Sequence, residues 1–131
     1  MVDGLRTIKS NFGPEETMNR CEAAVRAKGM TIFAHIDHAA SAAAVGMSLR
    51  PLDLIIFGSA KAGTPLMQSI ETIGIDLPLK ALVWQDESGT TWLSYNDPGS
   101  FATRHAIVDS DLTINAMRGA LNEIAKTATS R

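Results

Sequence analysis

The side chains able to do chemistry sit at the predicted ends of strands and helices: Asp37, His38, Lys61, Thr64, Lys80, Tyr95, Asp97, Arg104 and His105. Brought together, they would offer cations, hydroxyls and imidazoles to a small polar or anionic ligand. The run His35-Ile36-Asp37-His38 puts two imidazoles and a carboxylate within four residues, and neutral imidazole is a frequent metal ligand. Yet no HExxH spacing and no second cysteine supports it, so no metal and no cofactor is expected. The plainer role for Asp37 is to cap the amides of residues 39 or 40. His38 then enters the first helical turn, where the dipole disfavours its protonated form.

The segment Gly58-Ser59-Ala60-Lys61-Ala62-Gly63-Thr64 joins an apolar strand to a helix start. Glycines before a helix can present amides to an anion, helped by the dipole and a nearby lysine. A phosphate-binding loop of nucleotide hydrolases would place lysine directly before the hydroxyl residue, whereas Lys61 lies inside the segment. The simpler expectation is a turn with Thr64 as N-cap and Pro65 in the first helical turn.

Ser94-Tyr95-Asn96-Asp97-Pro98 closes a strand and caps a helix. Tyr95, Arg104 and His105 could converge there on a ligand; the plainer reading is a polar seam holding strand to helix. Lys80 shares its strand face with Leu82 and Trp84, so it must reach solvent along its stem or find a carboxylate. Enclosed in a pocket, it would become nucleophile-like. Trp84 and Trp92 are expected to pack the sheet, and Cys21 to act as a small hydrophobe on a helix face.

The elements that must position these groups follow from pattern. Leu5 to Ser10 alternates as a first strand, and Gly13-Pro14-Glu15-Glu16 opens a helix that Gly29 ends, with Met18, Cys21, Ala24 and Val25 on one face. Met30 to Ile36 is a strand, Asp37 to about Gly46 a short Ala-rich helix. Leu52 to Phe57 is a nearly continuous apolar run, expected to be covered on both faces. Leu79 to Gln85 and Thr90 to Tyr95 form a hairpin through Asp86-Glu87-Ser88-Gly89, which requires antiparallel pairing. Asp97-Pro98 starts a short helix towards His105. Ser110 or Asp111 starts a long one with Leu112, Ala116, Met117, Ala120, Leu121 and Ile124 on one face.

Composition bounds the classes. With 131 residues, 45% apolar and 20% charged, the chain suits one domain over 1–131. A net charge of -2 argues against nucleic acid. One cysteine cannot make an internal disulfide. Met1-Val2-Asp3-Gly4 lacks a basic start and an apolar run, and no stretch approaches the ~20 apolar residues of a membrane helix. No membrane partner and a cytoplasmic location are the expectation.

A series of ordered motifs runs almost the whole chain: Lys28-Gly29, Ile36-Asp37-His38, Leu49-Arg50-Pro51, Ile56-Phe57-Gly58, Gly63-Thr64-Pro65-Leu66-Met67, Asp76 to Asp86, Ser94 to Pro98, and Arg104-His105. Together they resemble the domain-of-unknown-function 302 family. The resemblance implies a two-layer α+β fold similar to the TATA-binding protein: a curved, mainly antiparallel sheet of about five strands with the terminal helix across it. Gly58-Ser59-Ala60 departs from the Asn/Pro-like turn expected at that place. A shared architecture does not confer DNA binding.

Three functions follow as expectations. The first is a non-enzymatic module binding a small anionic or polar ligand, as a homodimer through an exposed sheet edge. The second is an enzyme with His38 or His105 as acid–base group and Lys80 or Lys61 stabilising negative charge. The third is a structural or protein-interaction domain.

Overall fold

The structure is a computed structural model describing residues 2–131; Met1, part of the N-terminal reading and of the 1–131 span, lies outside the described residues. The elements are β1 (Leu5–Lys9), α1 (Pro14–Ala27), β2 (Thr31–Asp37), α2 (His38–Ala44), β3 (Leu52–Gly58), α3 (Ala60–Ser69), a 3-10 turn (Glu71–Ile75), β4 (Leu79–Gln85), β5 (Thr91–Asn96), α4 (Pro98–Arg104) and α5 (Asp111–Thr129). The helix ends obey local chemistry. Pro14 and two glutamates open α1, and Gly29 at φ +75° turns the chain out of it. In the β4–β5 turn, Asp86 accepts from the amides of Ser88 and Thr90 and from Trp92 Nε1 at 2.8 Å. The Trp92 hydrogen bond, foremost, holds its carboxyl below the usual range.

The five strands form one antiparallel sheet in the order β1-β5-β4-β3-β2. Ile55, Phe57, Val83 and Leu93 point to one face and are at most 1% exposed. They join Val25 and Cys21 of α1, Leu66 of α3, Phe101 of α4, and Met117, Leu121 and Ile124 of α5 in one core. The result is two layers, helices over sheet, which is the α+β architecture expected. On the opposite face, directly paired residues share orientation, so Ile36, Leu54, Leu82, Ser94 and Thr7 form one row across all five strands. Trp84 and Trp92 stack in the next row with centroids 6.1 Å apart. None of the four helices that build the core covers this face.

Three expectations need correction. Thr64 is not a cap: α3 starts at Ala60, and Ser59 is its N-cap, its hydroxyl accepting from the Ala62 amide at 3.3 Å. A serine hydroxyl ahead of three good helix residues starts the helix early, and Pro65 is carried inside at the loss of one backbone bond, to the Lys61 carbonyl. The Gly58–Thr64 segment is therefore mostly helix and not an open loop. Second, Leu112 is 89% exposed and Ala116 is exposed; the buried stripe of α5 starts at Ile114 and repeats through Met117, Leu121 and Ile124. Third, the core-building helices take only one face of β3; Leu52, Leu54 and Ile56 on the other are half-buried, and the short helix α2 lies against this strand as well.

Candidate functional site

The nine polar residues do not form one cluster; they divide among five places. Asp37 accepts from the Ala40 amide at 2.8 Å and caps α2, with His38 in its first turn. Around Asp37, the register sets Asp53 directly opposite, and His35 Nδ1 lies 3.1 Å from Glu22. Burial first, and then the Asp37 charge, push the Asp53 carboxyl above its ordinary value. Among the described residues no group of three or more His, Cys, Asp and Glu side chains is arranged to hold a metal ion.

Tyr95 and Asp97 build the polar seam. Tyr95, 5% exposed, donates to Asn122 Oδ1 at 2.6 Å. Burial lifts its phenol above the ordinary range. Asp97 accepts from the Gly99 amide at 3.0 Å, from Arg118 Nε at 2.9 Å and from Arg6 at 3.5 Å. Burial works against ionisation, but the Gly99 amide and the Arg118 guanidinium outweigh it and hold the carboxyl below its ordinary value. Gly99 leaves the space that the Arg118 guanidinium occupies. Arg118 and Asn122 were not singled out from sequence. Their signal was available: with Asn115 they make a polar i, i+3, i+7 stripe on α5.

Arg104 and His105 meet Asp76, a residue the sequence did not flag. His105 Nε2 donates to Asp76 Oδ2 at 2.6 Å, and Arg104 binds the other carboxylate oxygen at 3.0 Å. On the other side of the ring, Nδ1 lies 3.0 Å from the Thr72 hydroxyl, within hydrogen-bond reach. One imidazole thus connects a carboxylate and a hydroxyl. The pairing crosses about thirty residues of chain, so only the fold could make it.

Thr64 lines an apolar cavity of about 230 Å³ beside α3, and Lys61 lines the hollow next to it. The cavity's walls come from Met30, Phe33, Met67, Leu77, the cis Pro78 and Met117. Gly63 belongs to the wall, where an added Cβ would stand 3.6 Å from Leu77 Cδ1. The adjoining hollow shares Met30, Ser59, Ala62 and Met117 and reaches Lys28 and Lys61. Lys28 is held by Glu123, whereas exposed Lys61 has no polar partner among the described residues. Lys80 lies elsewhere, in a shallow dish of about 320 Å³ on the bare sheet face with Leu54, Leu82 and Trp84. Among the described residues no buried side-chain nitrogen or oxygen lacks a partner.

The ordered motifs extend across this whole arrangement, and the family model described as "Domain of unknown function DUF302" matches residues 6–127. The chain belongs to the DUF302 family. A crystal structure of an uncharacterized conserved DUF302 protein from Bacillus stearothermophilus has the same fold, with a TM-score of 0.87 at 16% identity over 97% of this chain and 99% of that one. Curated relatives carry other names. A "fluoride-specific ion channel FluC 1" from Brucella suis biovar 1 is 44% identical over 126 residues, covering 95% of this chain and 50% of its own length. A "fluoride-specific ion channel FluC 2" from Brucella melitensis biotype 1 matches equally, over 47% of its length. This DUF302 chain spans about half the length of the curated relatives it matches. No helix among its described residues is long and apolar enough to cross a membrane.

Proposed function

We propose that this chain is a single ligand-binding domain, acting as a homodimer in the cytoplasm, whose ligand is a small amphipathic anion. The observation that carries the reading is the methionine-lined cavity beside α3, with an unpaired lysine in the hollow that adjoins it. A cavity of about 150 Å³ takes benzene, so this one suits a substituted ring or a short acyl chain. Thioether and aromatic walls adapt to such groups. An anionic end emerging towards Lys61 would meet a cation with no competing carboxylate. In the longer relatives named as channels, the pore function is assigned by this reading to the half that the chain does not match, with the DUF302 half as the ligand-responsive module.

Octanoate and uncharged octanol test this by calorimetric titration. Octanoate is expected to bind saturably and several-fold tighter than octanol, with the difference lost in Lys61→Glu. Gly63→Leu, which fills the cavity while suiting a helix, is expected to abolish both. Binding unaffected by Gly63→Leu, or no saturable binding, sinks the reading.

A second reading, an enzyme, is favoured by the Asp76–His105–Thr72 line, whose connectivity matches an activated hydroxyl. Neither the α3 cavity nor the bare-face dish includes these residues in its walls. Covalent labelling of Thr72 by a fluorophosphonate, lost in His105→Ala, would support catalysis. An unlabelled protein that loses thermal stability in that variant identifies a tether between the 3-10 turn and α4.

A further inference from the structure

The ligand reading leaves the second face of the sheet unused, and that face is not built for water. A strand with one wet face alternates apolar and polar residues. In β3, Leu52, Leu54 and Ile56 face away from the core while Ile55 and Phe57 face into it, so both sides are apolar. In β4 the same outer face carries Leu82 and Trp84. Leu5 of β1 is 39% and Ile36 of β2 37% exposed on this face, and Ser94 and Thr7 interrupt its apolar surface towards β1.

We infer that a second copy of this chain covers this face, sheet against sheet across a two-fold axis. The inference rests on the homodimer of the reading above and names its surface. Area supports it: five strands about 4.8 Å apart and about 20 Å long present roughly 480 Å² per copy, so two copies bury on the order of 1,000 Å², the lower bound for a specific interface. The sheet edges are the poorer alternative. Arg6 and Lys9 stand exposed on β1, and β2 has a register shift between Ile32 and Ala34 and ends on His35 and Asp37. Edge charges and bulges of this kind discourage strand addition. Lys80 at the centre of the face and Lys9 at its β1 edge, opposite Trp92, are its charges, and their four-carbon stems let the ammonium groups run out to the rim as the sheets close.

Both tryptophans of the chain lie on this face, so their emission reports its covering directly. Sedimentation velocity and acrylamide quenching over a hundredfold dilution are the measurements. The wild type is expected to be a dimer at high concentration, with tryptophans shielded, and to expose them on dissociation. Leu82→Arg is expected to be a folded monomer with quenchable tryptophans. Ile36→Glu, at a position already open to solvent in one copy, should weaken the dimer at least tenfold even if Leu82→Arg fails to fold. Leu112→Arg, on α5, should leave it intact. A wild type that stays monomeric overturns both the homodimer and its surface. A dimer that survives Leu82→Arg and Ile36→Glu with quenchable tryptophans, or that is lost only in Leu112→Arg, overturns the surface and leaves the homodimer standing.

Discussion

The two faces of the β-sheet are nearly equally apolar but differently housed. On one, Ile55, Phe57 and Val83 are 0% exposed beneath α1 and α5. On the other, Leu54, Leu82 and the Trp84–Trp92 stack meet no core-building helix. The difference teaches that apolar patterning specifies burial without specifying what does the burying. A continuous apolar strand signals two covers, and the core-building helices supply one of them.

The largest expected effect separates neighbours on β3. Ile55→Ala should cost about 2–5 kcal/mol, because a buried side chain leaves a cavity that packed helices cannot close. Leu54→Ala, at a half-buried side chain, should cost clearly less in dilute protein, and more as concentration rises, since a partner's cover adds stability by mass action. Urea denaturation at two protein concentrations measures both. Equal costs at high dilution would break the comparison.

A smaller effect lies at the seam that ties β5 to the helical layer. Asp97→Ala should cost about 1–2 kcal/mol at pH 7, from loss of the α4 cap and the Arg118 bond. Because the folded Asp97 value lies below the ordinary 3.8, its contribution is present above that value and fades as pH falls through the lower folded value. The gap between wild type and Asp97→Ala should accordingly close below about pH 3.8, as followed by thermal unfolding across pH 2 to 7. A gap that persists unchanged at pH 2 would remove the ionised carboxylate from the account.

The smallest expected change is none. Burial, and then the Glu22 charge, push the Cys21 thiol up to about 12. Iodoacetamide at pH 8 should leave native protein unlabelled and label it on unfolding in urea. Rapid native labelling would show that the covered face is less closed than its packing implies.

Much of this architecture was legible in the residues. Pro14, the paired glutamates and Gly29 bound α1, and the Met18–Cys21–Val25 stripe named its buried face. Asp37 and Asp97 were readable as caps because a short carboxylate before a helix has few better partners than the first free amides. The α3 start was misread because Thr64-Pro65 and Ser59-Ala60 are both plausible helix openings, and local propensity differs little between them.

The sequence by itself determined the caps, the turns, the hairpin and the number of apolar faces, since these depend on neighbours a few residues apart. The tertiary structure alone decided which apolar face the helices took, which stripe of α5 met the sheet, and that His105 would find Asp76 and Thr72. It also brought Met30, Met67 and Met117 around one cavity, with Lys61 in the hollow beside it. Those contacts join segments tens of residues apart, and apolar side chains carry no label for their partners. Hydrophobic burial is non-directional, so the choice among partners falls to packing.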